Sequence, residues 1–131
     1  MSKSTVTHGY RVEVKPGFDF ARSNPLQRQY FFFYTITITN VSGMQAQLKT
    51  RTWHIVDANN ETRVVEGPGV VGETPWFRPG ESFEYTSFCP LPTLTGSMQG
   101  QFHMRSIDGT EFSIDVPKIR FVVPEEFIDR Y

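Results

Sequence analysis

The run Gln29–Asn40, "QYFFFYTITITN", restricts the fold more than any other stretch of the chain. Its aromatic and β-branched residues favour extended backbone, and successive side chains of a strand point to opposite faces. Tyr30, Phe32, Tyr34, Ile36 and Ile38 therefore share one face, and Phe31, Phe33, Thr35, Thr37 and Thr39 share the other. The first face is apolar and needs a second layer to cover it.

The remaining segments read the same way. "GYRVEVKPG" sets Tyr10, Val12 and Val14 against charged residues until Pro16-Gly17. "QAQLKTRTWHIVD" and "ETRVVEG" flank Ala58-Asn59-Asn60, and asparagine tolerates the positive φ of a tight hairpin. "SFEYTS" is a short strand with Phe83 and Tyr85 facing in, and Cys89-Pro90 beyond it reads as a loop. "GSMQGQFHMRSI" and "TEFSIDVPKIRFVV" are joined by Asp108-Gly109, a strong hairpin signal, and Pro117 marks an edge or a bulge. No window carries an apolar stripe at helical spacing, and nine prolines and ten glycines punctuate the chain. The expectation is an all-β chain of about seven strands: two antiparallel sheets packed as a sandwich, with Trp53 as the large anchor between them. Residues 1–131 form one domain. Its ordered core spans about residues 7–124, and the first six or so residues and "EEFIDRY" are expected to be loose.

Thirteen basic against fourteen acidic side chains give a net charge of −1 and no basic stripe, which argues against nucleic acid and anionic membranes as partners. The start "MSKSTVTHGYRVEV" lacks the apolar segment of a secretion signal, and no run is long enough to span a bilayer. A single cysteine, Cys89, allows no internal disulfide, and a reducing cytoplasm is the expected location.

Gly67-Pro68-Gly69-Val70-Val71-Gly72 spells G-x-G-x-x-G. In dinucleotide-binding units that string needs a helix opening at its third glycine. Pro75 and Pro79 forbid such a helix, so the dinucleotide reading fails. Two readings stay open. The glycines let the chain turn sharply and cross between sheets. Alternatively Gly67, Gly69, Val70, Val71 and Gly72 offer an anion nest of backbone N–H groups, with Arg78 adding charge, for pyrophosphate or a dinucleoside polyphosphate.

His8, His54 and His103 are far apart, Cys89 has no catalytic signature around it, and the carboxylates form no spaced pair. No enzyme, metal centre or cofactor is expected. The aromatic excess says more. Phe31 and Phe33 point away from the core, and Trp76, Phe77 and Arg78 sit in a proline-flanked loop. Exposed rings of this kind mark a protein partner or a second copy of the chain, unless a terminal segment covers Phe31 and Phe33. Trp76, Phe77 and Arg78 are the first candidates for partner binding, with Phe31 and Phe33 second.

Five blocks occur in order: Arg51-x-Trp53, the string Gly67 to Gly72, Pro79-Gly80, Tyr85-Thr86-Ser87, and Gly96-x-Met98-x-Gly100. Together with the strand "RQYFFFYTITITNVSG" they resemble the ApaG domain family, also called CorD, from about Thr7 to Pro124. The resemblance implies an immunoglobulin- or fibronectin-III-like sandwich without catalytic activity. In larger proteins the domain looks like a partner-recognition module, attached to F-box proteins and to a protein that contacts DNA polymerase. Stand-alone bacterial members are linked with divalent-cation homeostasis, and their gene often neighbours a diadenosine-tetraphosphate hydrolase. The resemblance brings no metal-ligand set that maps onto this chain.

Overall fold

In the computed structural model, which describes residues 2–129, the chain runs β1 (Lys3–Thr7), β2 (Tyr10–Phe18), β3 (Tyr30–Asn40), β4 (Ala46–Asp57), β5 (Thr62–Pro68), β6 (Trp76–Phe77), β7 (Ser82–Leu91), β8 (Thr95–Ser106), β9 (Glu111–Val122) and a short helix α1 (Glu125–Ile128). All strand pairs are antiparallel. One sheet has the order β1-β2-β3-β7, and the other β5-β4-β8-β9 with β6 paired to the start of β4. The fold is the expected all-β sandwich of two antiparallel sheets, consistent with the immunoglobulin and fibronectin-III class.

The alternation of β3 is carried through without a break: its five even-numbered aromatic and aliphatic residues are buried, and its odd-numbered residues are half-exposed. From the opposite sheet Trp53 meets them, 3% exposed and edge-on to both Tyr34 and Phe102 at 5.7 and 5.6 Å. Two turns do what their residues suggest. Asn60 takes φ 62° between β4 and β5, and Gly109 takes φ 90° between β8 and β9. Pro117 lies on an edge strand where the register slips between Met98–Ile119 and Gly100–Val116, so it sits at both an edge and a bulge.

Among the described residues nine strands replace the expected seven or so. β1 is added because His8 and Gly9, at φ 49° and 80°, close a two-residue hairpin between Thr7 and Tyr10. β6 is too short to show a period. Cys89-Pro90, expected in a loop, belongs to β7; that strand is an edge, where proline's missing N–H costs no ladder bond. The ends differ from expectation as well. Residues 3–7 pair with β2, and Phe127 of α1 is 1% exposed, packed edge-on against Phe18 at 4.9 Å. Residues 130 and 131 of that tail lie outside the described residues. Among the described residues no helix is long and apolar enough to cross a membrane.

Candidate functional site

The outer face of the four-stranded sheet is built from the odd residues of β3 and the even residues of β7, which lie directly opposite one another. Along most of its length the side chains bond each other across the strands: Thr35 with Thr86 at 2.9 Å, Thr37 to Glu84 at 2.9 Å, Thr39 with Ser82 at 2.8 Å. At one end the ladder turns aromatic. Phe33 faces Phe88 with ring centroids 6.5 Å apart, and Phe31 faces Pro90. The Phe33 ring lies across Gly17 of β2, where a Cβ would come within 2.2 Å of it. Glycine there gives the ring its seat.

The loop after β2 adds a cation. Asp19 Oδ1 accepts from the backbone N–H groups of Ala21 and Arg22, both at 3.1 Å, which fixes the bend. Ser23 Oγ donates to the Asp19 carbonyl at 2.8 Å and accepts from the Phe31 N–H at 2.9 Å, tying the loop to β3. Arg22 is thereby set over the Phe88 ring at 4.5 Å, within reach of a cation–π contact. Phe88 is 43% exposed, and Phe31 and Phe33 are half-buried. Phe88 and Arg22 were not legible as part of this group. Carrying the alternation of "SFEYTS" on to Leu91 would have placed Phe88 outside, but its register with Phe33 is a tertiary fact.

Trp76, Phe77 and Arg78 do not form one surface, nor do they join Phe31 and Phe33. Neighbouring residues of β6 face opposite ways. Trp76 pairs with Gln47 and is 50% exposed on the outer side of the five-stranded sheet. Phe77, expected on the partner surface, pairs with Ala46 and points into the core; it is 1% exposed and edge-on to Tyr10 at 5.8 Å. Arg78 is exposed at the start of a turn, where its N–H donates to Glu81 Oε1 at 2.6 Å. Buried Asn40 anchors that turn: its amide donates to the Phe77 carbonyl at 3.1 Å, and its own N–H to the Glu81 carbonyl at 2.9 Å.

The glycine string is a crossing turn held by its carbonyls. Val71 and Gly72, at φ 43° and 82°, form a two-residue turn between Val70 and Glu73, which exchange N–H···O bonds of 2.8 and 2.9 Å. The Gly69 N–H donates to Lys49 at 2.9 Å. A nest needs successive free N–H groups. Here those of Gly69, Val70 and Glu73 are engaged and Pro68 has none, leaving the amides of Val71 and Gly72 among the described loop residues. The arginine at the loop is Arg51 rather than Arg78. Arg51 Nη1 donates to the carbonyls of Pro68 and Gly69 at 2.8 and 2.9 Å, and its guanidinium fills the space a Cβ on Gly67 would need.

On the outer face of the five-stranded sheet His103 bridges two strands, one nitrogen at 2.9 Å from Thr52 Oγ1 and the other at 2.8 Å from Ser113 Oγ. It borders a shallow groove of about 440 Å³ with Lys49, Thr50, Arg105 and Glu111. A serine beside a histidine suggests a nucleophile, but the third group is a threonine where a carboxylate would orient the ring. The arrangement is a cross-strand latch. Cys89 lies on the inner side of β7, 2% exposed, and burial pushes its thiol up to about 11, so it is protonated at neutral pH. Among the described residues no three His, Cys, Asp or Glu side chains are placed to hold a metal ion.

Comparison with known proteins gives a consistent result. The family model described as the ApaG domain matches residues 20–106. A protein ApaG of Rhodopseudomonas palustris is 47% identical over 120 residues, covering 92% of each chain. One from Brucella anthropi is 43% identical over 121 residues, 92% of this chain and 93% of the relative. The crystal structure of the putative ApaA protein from Bordetella pertussis superposes with a TM-score of 0.85 at 41% identity, covering 88% of this chain and 94% of that one.

Proposed function

Because this chain belongs to the ApaG domain family, we propose that it is a non-enzymatic cytoplasmic module that binds another protein. The observation that supports this reading is the aromatic end of the four-stranded face, where Phe31 and Phe33 lie opposite Pro90 and Phe88, with Arg22 over the Phe88 ring. Elsewhere on that face the hydroxyls and Glu84 are already bonded across the strands, so attraction for a partner concentrates on the rings. Aromatic residues and arginine are the usual energetic anchors of interfaces. Trp76, on the outer side of the five-stranded sheet, and Arg78, in the turn beside Asn40 at the opposite end of β3 from Phe31, come second. The link with divalent-cation homeostasis that the family resemblance implies would then run through the protein partner.

The test compares wild type, the double variant Phe33→Ala/Phe88→Ala, and His103→Ala as baits in one cell extract, followed by titration of the purified partner. Wild type and His103→Ala should bind alike. The double variant should bind at least about 30-fold more weakly, roughly 2 kcal/mol. Equal binding by all three baits overturns the reading.

A further inference from the structure

We propose that β7 is the edge at which a second copy of this chain adds, the two β7 strands pairing antiparallel about a two-fold axis at Thr86. This goes beyond the partner reading, since it uses the backbone edge of β7 and not the rings on its face.

The direction of the backbone groups follows from the hydrogen bonds at the two ends of β3. Phe31 turns its N–H to Ser23 Oγ and its carbonyl to Asp19, away from β7. Asn40 sends its N–H to Glu81 and takes the N–H of Gly80, toward β7. Odd residues of β3 therefore bond β2, and even ones bond β7. In the β3–β7 register the even residues face Phe83, Tyr85, Ser87 and Cys89, so these are the residues of β7 that bond inward. Glu84, Thr86 and Phe88 direct both N–H and C=O outward, and Pro90 directs its carbonyl only. β7 is the terminal strand of its sheet, so no strand among the described residues continues the ladder there.

Sheet edges are ordinarily guarded by charge, proline, bulges or brevity, and the other three edges have such guards. β1 is five residues long and begins with Lys3. β9 carries the Pro117 bulge, and its Asp115 N–H donates to Thr7 Oγ1 of β1 at 3.3 Å. β5 carries Arg63 and Glu66 and ends at Gly67-Pro68. β7 has ten residues, with proline only near its end. Its one charged side chain, Glu84, is turned back to accept from Thr37 of β3.

The sequence of β7 suits its own reversal. A two-fold axis at Thr86 sets Thr86 against the partner's Thr86, Glu84 against the partner's Phe88, and Ser82 against the partner's Pro90. The three central pairings supply about six N–H···O bonds. Proline falls at the two ends, where its missing donor matters least, and no two like charges are opposed. A net charge of −1 adds little repulsion between copies. The product is one eight-stranded sheet that displays both aromatic ends on a single face.

Sedimentation equilibrium over micromolar to millimolar concentration tests this with wild type, Thr86→Pro and Thr86→Lys. Because the Thr86 N–H points outward, Thr86→Pro deletes a backbone bond to the second copy and no backbone bond within the chain; the Thr35–Thr86 hydroxyl bond is lost in both variants alike. Thr86→Lys sets like charges face to face across the axis. Wild type should dimerise, and both variants, shown to be folded by amide spectra, should dimerise at least tenfold more weakly. On dilution of wild type, amide shifts should centre on Glu84, Thr86 and Phe88. If Thr86→Pro fails to fold, Thr86→Lys and the dilution shifts decide. A wild type monomeric at millimolar concentration, variants that dimerise as tightly as wild type, or dilution shifts centred on another edge overturn the proposal.

Discussion

Among the described residues two glycines share one device: the aromatic ring of the residue directly opposite on the next strand lies over the place a Cβ would take. Gly100 of β8 faces Trp53 of β4, and Gly17 of β2 faces Phe33 of β3. In each, a Cβ on the glycine would invade the ring, within 2.7 Å of Trp53 and 2.2 Å of Phe33. The difference is the side of the sheet. Trp53 looks inward, is 3% exposed and anchors the core, while Phe33 looks outward and stands half-exposed beside Phe88. The same local device makes a core in one sheet and a surface in the other. Which it makes is decided by the parity of the strand and not by the residue types.

Substitution separates the two sites. Trp53→Ala should lose about 3–5 kcal/mol of stability, the usual cost of emptying a buried aromatic site, while Phe33→Ala should lose under about 1 kcal/mol. Similar denaturant midpoints for the two variants would erase the distinction. Gly100→Ala is the next largest. Its Cβ would come 2.0 Å from the Thr52 carbonyl, a backbone atom that cannot swing away, so a loss of roughly 2–4 kcal/mol is expected. In Gly17→Ala the obstacle is only the far end of the Phe33 ring, which can turn outward. About 1 kcal/mol should be lost, with a larger change in Phe33 ring shifts and in partner binding.

The dryness of the inner side has its own readout in Cys89, whose thiol is pushed from its ordinary value near 9 to about 11 by burial. A group raised in this way favours the fold while protonated. As pH climbs from about 9 to about 11 the unfolded chain loses its proton first, and stability falls by about 2 kcal/mol. Unfolding midpoints across that window should fall less steeply for Cys89→Ala than for wild type, since the buried hydroxyls of Tyr10, Tyr34 and Tyr85 keep a downward slope in both. An equal slope in both proteins would place the burial effect elsewhere, for instance on Tyr10, whose hydroxyl burial raises to about 12.

The sandwich was legible because "QYFFFYTITITN" repeats a two-residue period long enough to fix which face is buried. The Asn60 and Gly109 turns were legible for a local reason, since both residues tolerate positive φ. The His8-Gly9 turn carried the same glycine signal, but the strand before it, "KSTVT", is short and mostly polar and shows no run of apolar alternation. The site was less legible. Phe77 was misplaced because a two-residue strand has no period of its own and takes its facing from the pairing with Ala46. Phe88 was missed because its meaning lies in registry with a strand more than fifty positions away, and single-sequence patterns carry no registry. His103 as a bridge between Thr52 and Ser113 has the same origin.

The clasp of Arg51 on the glycine string bears on how the chain meets a protease. Gly67 to Gly72 spells an exposed, pliable linker, the kind of segment that is nicked first. Yet two carbonyls are held by one guanidinium, and the amides of Gly69, Val70 and Glu73 are engaged in the fold. Cleavage requires several residues to peel into extended form, and only the Val71-Gly72 tip is free of backbone bonds among these described residues. The string that looks most fragile on paper would be cut at the pace of unfolding, and replacing Arg51 would turn it back into the soft spot it resembles.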